Sequence, residues 1–124
     1  MNETLTRICN DARTAVKTLK GFTLGRGTYG RRYQDRMGDE VSCGCALTAI
    51  YVADCTAKCL SDEFNNEPAI ARHIKAKYGV AGDVLDYFAT GFDGKGINDE
   101  SPPINNPRHR EAYIAGYELG QELL

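Results

Sequence analysis

Arg108, His109 and Arg110 follow Asn106-Pro107 in the run "NNPRHR", and that cap-then-proline pair predicts a helix starting at Pro107. The first-turn N–H groups of a helix favour an anion, and the macrodipole prefers acidic side chains at that end. Two arginines there are costly unless an anion joins them. A phosphate could accept from the backbone amides and from both guanidinium groups together. The alternative is that the arginines turn away to carboxylates on another element. Upstream, "FATGFDGKGINDE" offers Phe88 and Phe92 as stacking rings around a glycine, with Asn98 and Asp99 supplying an amide and a carboxylate. The stretch from Phe88 to Arg110 is therefore either a long surface loop or a binding loop for something flat and negatively charged.

A second cationic group lies earlier, where Arg26, Arg31, Arg32 and Arg36 are interleaved with Tyr29, Tyr33 and several glycines. Glycines admit a phosphate close to the backbone, arginine forks bind it bidentately and tyrosine rings offer a stacking face. Between Lys20 and Arg36 there are five basic residues and one acidic residue, Asp35, so the segment is locally cationic. A plain solvated hairpin, its arginines paired with Asp39 and Glu40, is the alternative.

Five cysteines invite a metal or disulfide reading. The odd number weakens the disulfide case. The spacing C-x-C followed by C-x-x-x-C departs from the common zinc knuckles, and the intervening "ALTAIYVAD" reads as helix, so the cysteines are expected to be reduced small hydrophobes with no metal bound. In "CGCALTAIYVA", Cys43 or Cys45 at a helix start could serve as a thiolate nucleophile. A hydrolase of that kind also needs an oriented histidine. The only two, His73 and His109, fall at a core-compatible helical spacing and at a helix start, so no catalysis and no cofactor are expected.

The elements that would position these residues follow from periodicity. Leu5, Ile8, Cys9, Ala12, Ala15, Val16 and Leu19 form one apolar stripe over residues 4–19, an amphipathic helix ended near Lys20-Gly21. The glycine-rich "GFTLGRGTYGRRYQDRMGDE" suits a short irregular hairpin. Small apolar residues from Val41 to about Leu60 predict a buried central helix capped near Ser42. Pro68 opens a third helix that Gly79 stops, and a short fourth helix over 83–89 turns Val84, Leu85 and Phe88 inward before ending at Gly91. The last helix runs through Leu123. It places Ala112, Gly116 and Gly120 on one face, and interior glycine costs roughly 1 kcal/mol against alanine, so a close helix or subunit contact is expected there.

The expected architecture is mainly α: a compact single domain, residues 1–124, of about five helices with a short Gly/Arg-rich hairpin after the first helix. A net charge of −2 speaks against a general nucleic-acid coater, so any anion must be met by a local cluster. No apolar run reaches the roughly 20 residues of a membrane span, and a cytoplasmic protein is expected.

These residues together resemble the Thoeris anti-defence sponges, small phage proteins that sequester cyclic ADP-ribose signals made by bacterial TIR-domain immune proteins. The resemblance rests on size, on "FATGFDGKGIN" and on the basic residues by the last helix. It implies a non-enzymatic protein of the host cytoplasm whose Phe88, Asn98 and Arg108 or Arg110 contact adenine, ribose and phosphates. Phe92, Asp99 and Arg26 complete the expected ligand set. Tight sequestration of such a ligand needs more burial than a 124-residue monomer usually supplies, so a homo-oligomer with its site near a subunit interface is expected. A second likeness is to short bacterial proteins in which a glycine-rich segment precedes a "CALGA"-like helix, as "GRGTYGRRY" precedes "CGCALTA" here; it implies the same fold without the sponge activity. Two other functions stay open: a helical interaction protein that blocks a host macromolecule, and a papain-like cysteine hydrolase.

Overall fold

The apolar stripe of the first helix does what its spacing predicts. In α1 (Glu3–Thr18), Leu5, Ile8, Cys9, Ala12 and Ala15 are all buried, and Asn2 caps the start by accepting from the Leu5 amide at 2.8 Å. The computed structural model describes residues 2–19, 21–25, 31–34, 40–55, 67–94 and 105–124, with the backbone alone at 31–34, 40–43, 55 and 67. Its remaining helices are α2 (Ala46–Cys55), α3 (Glu67–Tyr78), α4 (Gly82–Phe92) and α5 (Pro107–Leu123), so the fold is mainly α with five helices among the described residues.

The expected hairpin is present and larger than expected. Strand β2 (Arg31–Gln34) pairs antiparallel with β3 (Glu40–Gly44), and β1 (Phe22–Leu24) adds to the other side of β3 in parallel, giving the order β1-β3-β2. This corrects the predicted start of the central helix. Val41 pairs with Tyr33, Gly44 with Leu24, and Ser42 and Cys43 between them have partners on both sides, so the segment lies in the sheet. The helix begins after Cys45, whose carbonyl accepts from the Ala49 amide at 3.1 Å. Once begun, α2 buries Ala46, Leu47, Thr48, Ala49, Ile50 and Val52, as befits a helix surrounded by other elements.

Gly79 ends α3 in the left-handed region at φ 65°, its amide returning to the Lys75 carbonyl at 2.9 Å. Three residues later α4 starts, and it runs through Gly91 to Phe92 rather than stopping before that glycine. Gly91 is helical because α5 lies against it. A β-carbon there would sit 2.1 Å from the Tyr113 carbonyl oxygen, and one on Gly116 would sit 2.0 Å from the Phe88 carbonyl oxygen. The small-residue face of α5 is thus spent inside the chain, on α4, with Ala112, Gly116 and Gly120 all buried. Since Asp83 and Tyr87 meet His109 while Gly91 meets Tyr113 and Tyr117, the two helices run side by side in the same direction. Their starts share one end of the molecule.

One core joins all five helices: Leu5, Ile8, Leu47, Ile50, Ile70, Ile74, Phe88, Phe92 and Leu119 are its large, fully buried members. Among the described residues no helix is long and apolar enough to cross a membrane.

Candidate functional site

Three helix starts converge on one cleft. Asn2, Thr4 and Leu5 come from the start of α1, Gly79, Val80 and Ala81 from the turn into α4, Val84 from the first turn of α4, and Arg108 from the first turn of α5. The parallel packing of α4 and α5 is what brings their starts together. Each local sequence explains its own part: Gly79 alone tolerates the backbone of the α3–α4 turn, and Asn106 with Pro107 fixes the start of α5. The Asn106 side chain accepts from the Arg108 amide at 2.9 Å. The start of α4 is different. Its cap position is Ala81, which has no side-chain acceptor, and the Asp83 carboxylate one residue into the helix accepts from the Val84 amide at 3.0 Å instead. Three helix starts and the Arg108 guanidinium thus face one rim, their positive ends favouring an anion, although each start already has an acceptor of its own chain in Asn2, Asp83 or Asn106. Glu111, which accepts from the Asn2 amide, and the exposed Glu3 and Asp83 bring negative charge to the same end and limit its strength. The cleft measures about 120 Å³. That holds a phosphate group and is well short of the several hundred Å³ typical of a pocket for a whole nucleotide.

Of the residues expected to bind ligand, Arg108 lines this cleft and Arg110 is exposed on the same helical turn. Phe88 and Phe92 do not join them. Both rings are in the core, at 0% and 1% exposure, because α4 continues through Gly91 and turns this face onto α5. Neither can stack on adenine, and that assignment is corrected here. Asn98, Asp99 and Arg26 lie outside the described residues.

Two histidine–aspartate pairs escaped sequence reasoning. His109 Nε2 is 2.6 Å from Asp83 Oδ2, and the Tyr87 ring stacks on the imidazole with centroids 4.4 Å apart. The His109 hydrogen bond holds the Asp83 carboxyl below the usual carboxylate range. At another junction, Asp54 Oδ2 lies 2.8 Å from both His73 Nε2 and Lys77 Nζ, tying the end of α2 to α3. These partners are 19 and 26 residues apart in the chain, a separation that carries no periodic signal.

A second cleft, of about 160 Å³, runs beside Asp54 and Lys77 between α1, α2 and α3, with Asp11, Thr14, Thr18 and Ile50 in its walls. Its polar groups already satisfy one another: the Tyr78 hydroxyl donates to Asp11 at 2.6 Å, and the Thr18 hydroxyl donates back to the Thr14 carbonyl at 3.0 Å. Burial would raise the Asp54 carboxyl, but the bonds from Lys77 and His73 outweigh it and hold the group below its ordinary range. A carboxyl depressed in the folded state adds stability above its unfolded pKa and loses that contribution as pH falls through the folded value. With both groups partly exposed, the contribution is that of a surface pair. Asp54→Asn is expected to cost about 0.5–1 kcal/mol at pH 7. The gap from wild type should close as pH falls below the ordinary carboxylate range of about 4 and through the lowered folded value, as urea titrations at a series of pH values would read.

The cysteine at a helix start is real but not activated. Cys45 stands immediately before α2, is 3% exposed, and contacts the Thr48 hydroxyl at 3.6 Å. Burial pushes its thiol up, away from thiolate chemistry. Cys9 is likewise buried with its thiol raised by burial. Among the described residues no three histidine, cysteine or acidic side chains are grouped so that they could hold a metal ion. No family model, curated protein or solved structure matches this chain, so its own geometry carries the functional reading.

Proposed function

We propose that this protein binds, without reacting with it, a small molecule bearing a phosphate, and that the phosphate seats in the Arg108 cleft. The observation that carries this is the meeting of Arg108 with the starts of α1, α4 and α5 in one cleft. A cyclic ADP-ribose-type immune signal is the ligand class favoured, since it pairs a pyrophosphate with ribose hydroxyls and an adenine. The loss of Phe88 and Phe92 as stacking rings narrows the described contribution to the anionic part of such a ligand. A cleft of about 120 Å³ encloses little beyond that part, which supports the further proposal that two copies close around one ligand.

Calorimetry with cyclic ADP-ribose isomers tests both statements. Heat at micromolar protein is expected, with one ligand for two chains. Arg108→Ala should weaken binding by about tenfold to a hundredfold, the worth of a hydrogen bond to a charged group. Absence of heat with every isomer, or unchanged affinity in the variant, would sink the reading.

One observation favours a helical interaction protein as the second reading. Ile114 and Tyr117 are exposed at 47% and 38%, three residues apart on α5 and therefore neighbours on its outer face. Recovery of a stoichiometric host protein, with no small molecule released on denaturing the complex, would replace the first reading by this one.

A further inference from the structure

The three large hydrophobic side chains that stand exposed among the described residues, Ile114, Tyr117 and Leu124, all belong to α5. At about 100° per residue, Arg110, Tyr117, Glu118 and Gln121 project within about 60° of Ile114, and Leu124 within about 80°. Arg110, Glu118 and Gln121 are exposed as well, so these six residues make one outward face. It lies opposite the Gly116 face that packs on α4. Arg110, Ile114, Tyr117, Gln121 and Leu124 follow one another at steps of four, three, four and three, the spacing of a coiled-coil seam. The centre of that seam is already held in place: Gln121 donates to the Tyr117 hydroxyl at 3.1 Å, and the Tyr113 ring stacks on Tyr117. A side chain fixed before contact loses little freedom on making it.

We infer that this face is where a second copy of the chain docks, α5 against α5, running antiparallel. Charge selects the occupant and the direction. With the two-fold axis between Ile114 and Tyr117, each Ile114 meets the partner's Tyr117 and each Leu124 meets the partner's Pro107. Each Arg110 then falls between the partner's Glu118 and the partner's Gln121. Every exposed apolar side chain is covered and both arginines gain an acidic neighbour, whereas a parallel pair would set one Arg110 against the other. Glu111, turned to the Asn2 amide on α1, lies off the face. A 17-residue helix is about 26 Å long and about 10 Å wide, a footprint well short of the roughly 800 Å² per partner of a standard interface. The dimer is therefore reversible, with a dissociation constant on the order of 10–100 μM. It goes beyond the anion reading and needs no ligand. Antiparallel packing carries the two Arg108 clefts to opposite ends of the pair, so closure of two copies around a ligand is a separate contact.

Sedimentation equilibrium of the full chain without ligand, from about 5 μM to about 500 μM, reads the association. A monomer–dimer equilibrium is expected. Ile114→Glu should weaken it at least about tenfold while leaving the urea midpoint unchanged, since this side chain stands outside the core. Arg110→Glu and Glu118→Arg should each weaken it by about tenfold, because either change acts at both ends of a symmetric contact. The double variant Arg110→Glu/Glu118→Arg should recover wild-type association, a rescue that neither a parallel pair nor an unrelated interface would give. A monomer at every concentration, a dimer untouched by Ile114→Glu, or a double variant no better than the singles would overturn the inference. A monomer whose α5 amides shift only when a host protein is added would overturn it in favour of that partner. None of these outcomes bears on ligand binding at Arg108, which calorimetry reads separately.

Discussion

Replacing Gly116 by alanine is expected to destabilise the fold by about 2 kcal/mol or more, although the same change in an open helix would stabilise it by about 1 kcal/mol. The reversal of sign comes from what the new methyl would meet. It would lie 2.0 Å from the Phe88 carbonyl oxygen, 2.9 Å from its carbon and 3.0 Å from the Phe92 nitrogen. All three are backbone atoms of α4, so no flexible side chain can swing aside. The helices must part, and a radial gap of even 0.5–1 Å forfeits a quarter to a half of the dispersion attraction across it. Gly91→Ala meets the Tyr113 carbonyl in the same way. Because either methyl separates the same pair of helices, the double variant should lose less than the sum of the singles. Gly82→Ala is the contrasting case: its nearest neighbour is the flexible Lys75 side chain at 3.7 Å, and it should be neutral or slightly stabilising. Urea and thermal unfolding read all four variants, with a Tm loss on the order of 10 °C for Gly116→Ala. A Gly116→Ala protein within about 0.5 kcal/mol of wild type would mean that α4 and α5 do not pack as described.

The features legible in the sequence were those whose cause is local. The stripe from Leu5 to Ala15 is set by one helix turn after another, Gly79 by its own φ, and the start of α5 by the adjacent Asn106 and Pro107. The features that escaped have distant causes. Val41 to Gly44 form a strand because Arg31 to Gln34 and Phe22 to Leu24 flank them; within their own window they join an apolar run that reads as helix. Gly91 looked like a stop signal, since glycine usually ends a helix. It is instead the counterpart of Gly116, and only the two small faces considered together would have shown that α4 continues and buries Phe88 and Phe92. For the candidate site, the clue that survived was electrostatic: arginines at a helix N-terminus are costly, and Arg108 does line a cleft. The walls of that cleft come from residues 2–5 and 79–84, far from Arg108 in sequence. The His109–Asp83 and His73–Asp54 pairs were invisible for the same reason.

Phe88→Ala is expected to cost about 3–5 kcal/mol, the largest effect of any substitution considered, because it empties the space of a fully buried ring between α4 and the rest of the core. Such a loss is a large part of the 5–15 kcal/mol that holds a domain of this size together, so much of the variant should be unfolded in mild denaturant. Loss of ligand binding in that protein would say nothing about contact with ligand. Phe88→Leu separates the two roles. It keeps an apolar side chain in the core, should cost roughly 1–2 kcal/mol, and leaves the chain folded at 25 °C. If the ring is core alone, nucleotide affinity in the folded Phe88→Leu protein should equal wild type while its urea midpoint falls. Wild-type stability with lost nucleotide binding would instead make Phe88 a stacking residue, and would require α4 to turn that face outward. The exposure of Phe88, at 0%, and the backbone contact of its carbonyl with Gly116 both argue for the first outcome. Arg108→Ala should show the opposite pattern, weak binding at unchanged stability, because its exposed side chain lies on the rim of the cleft and outside the core.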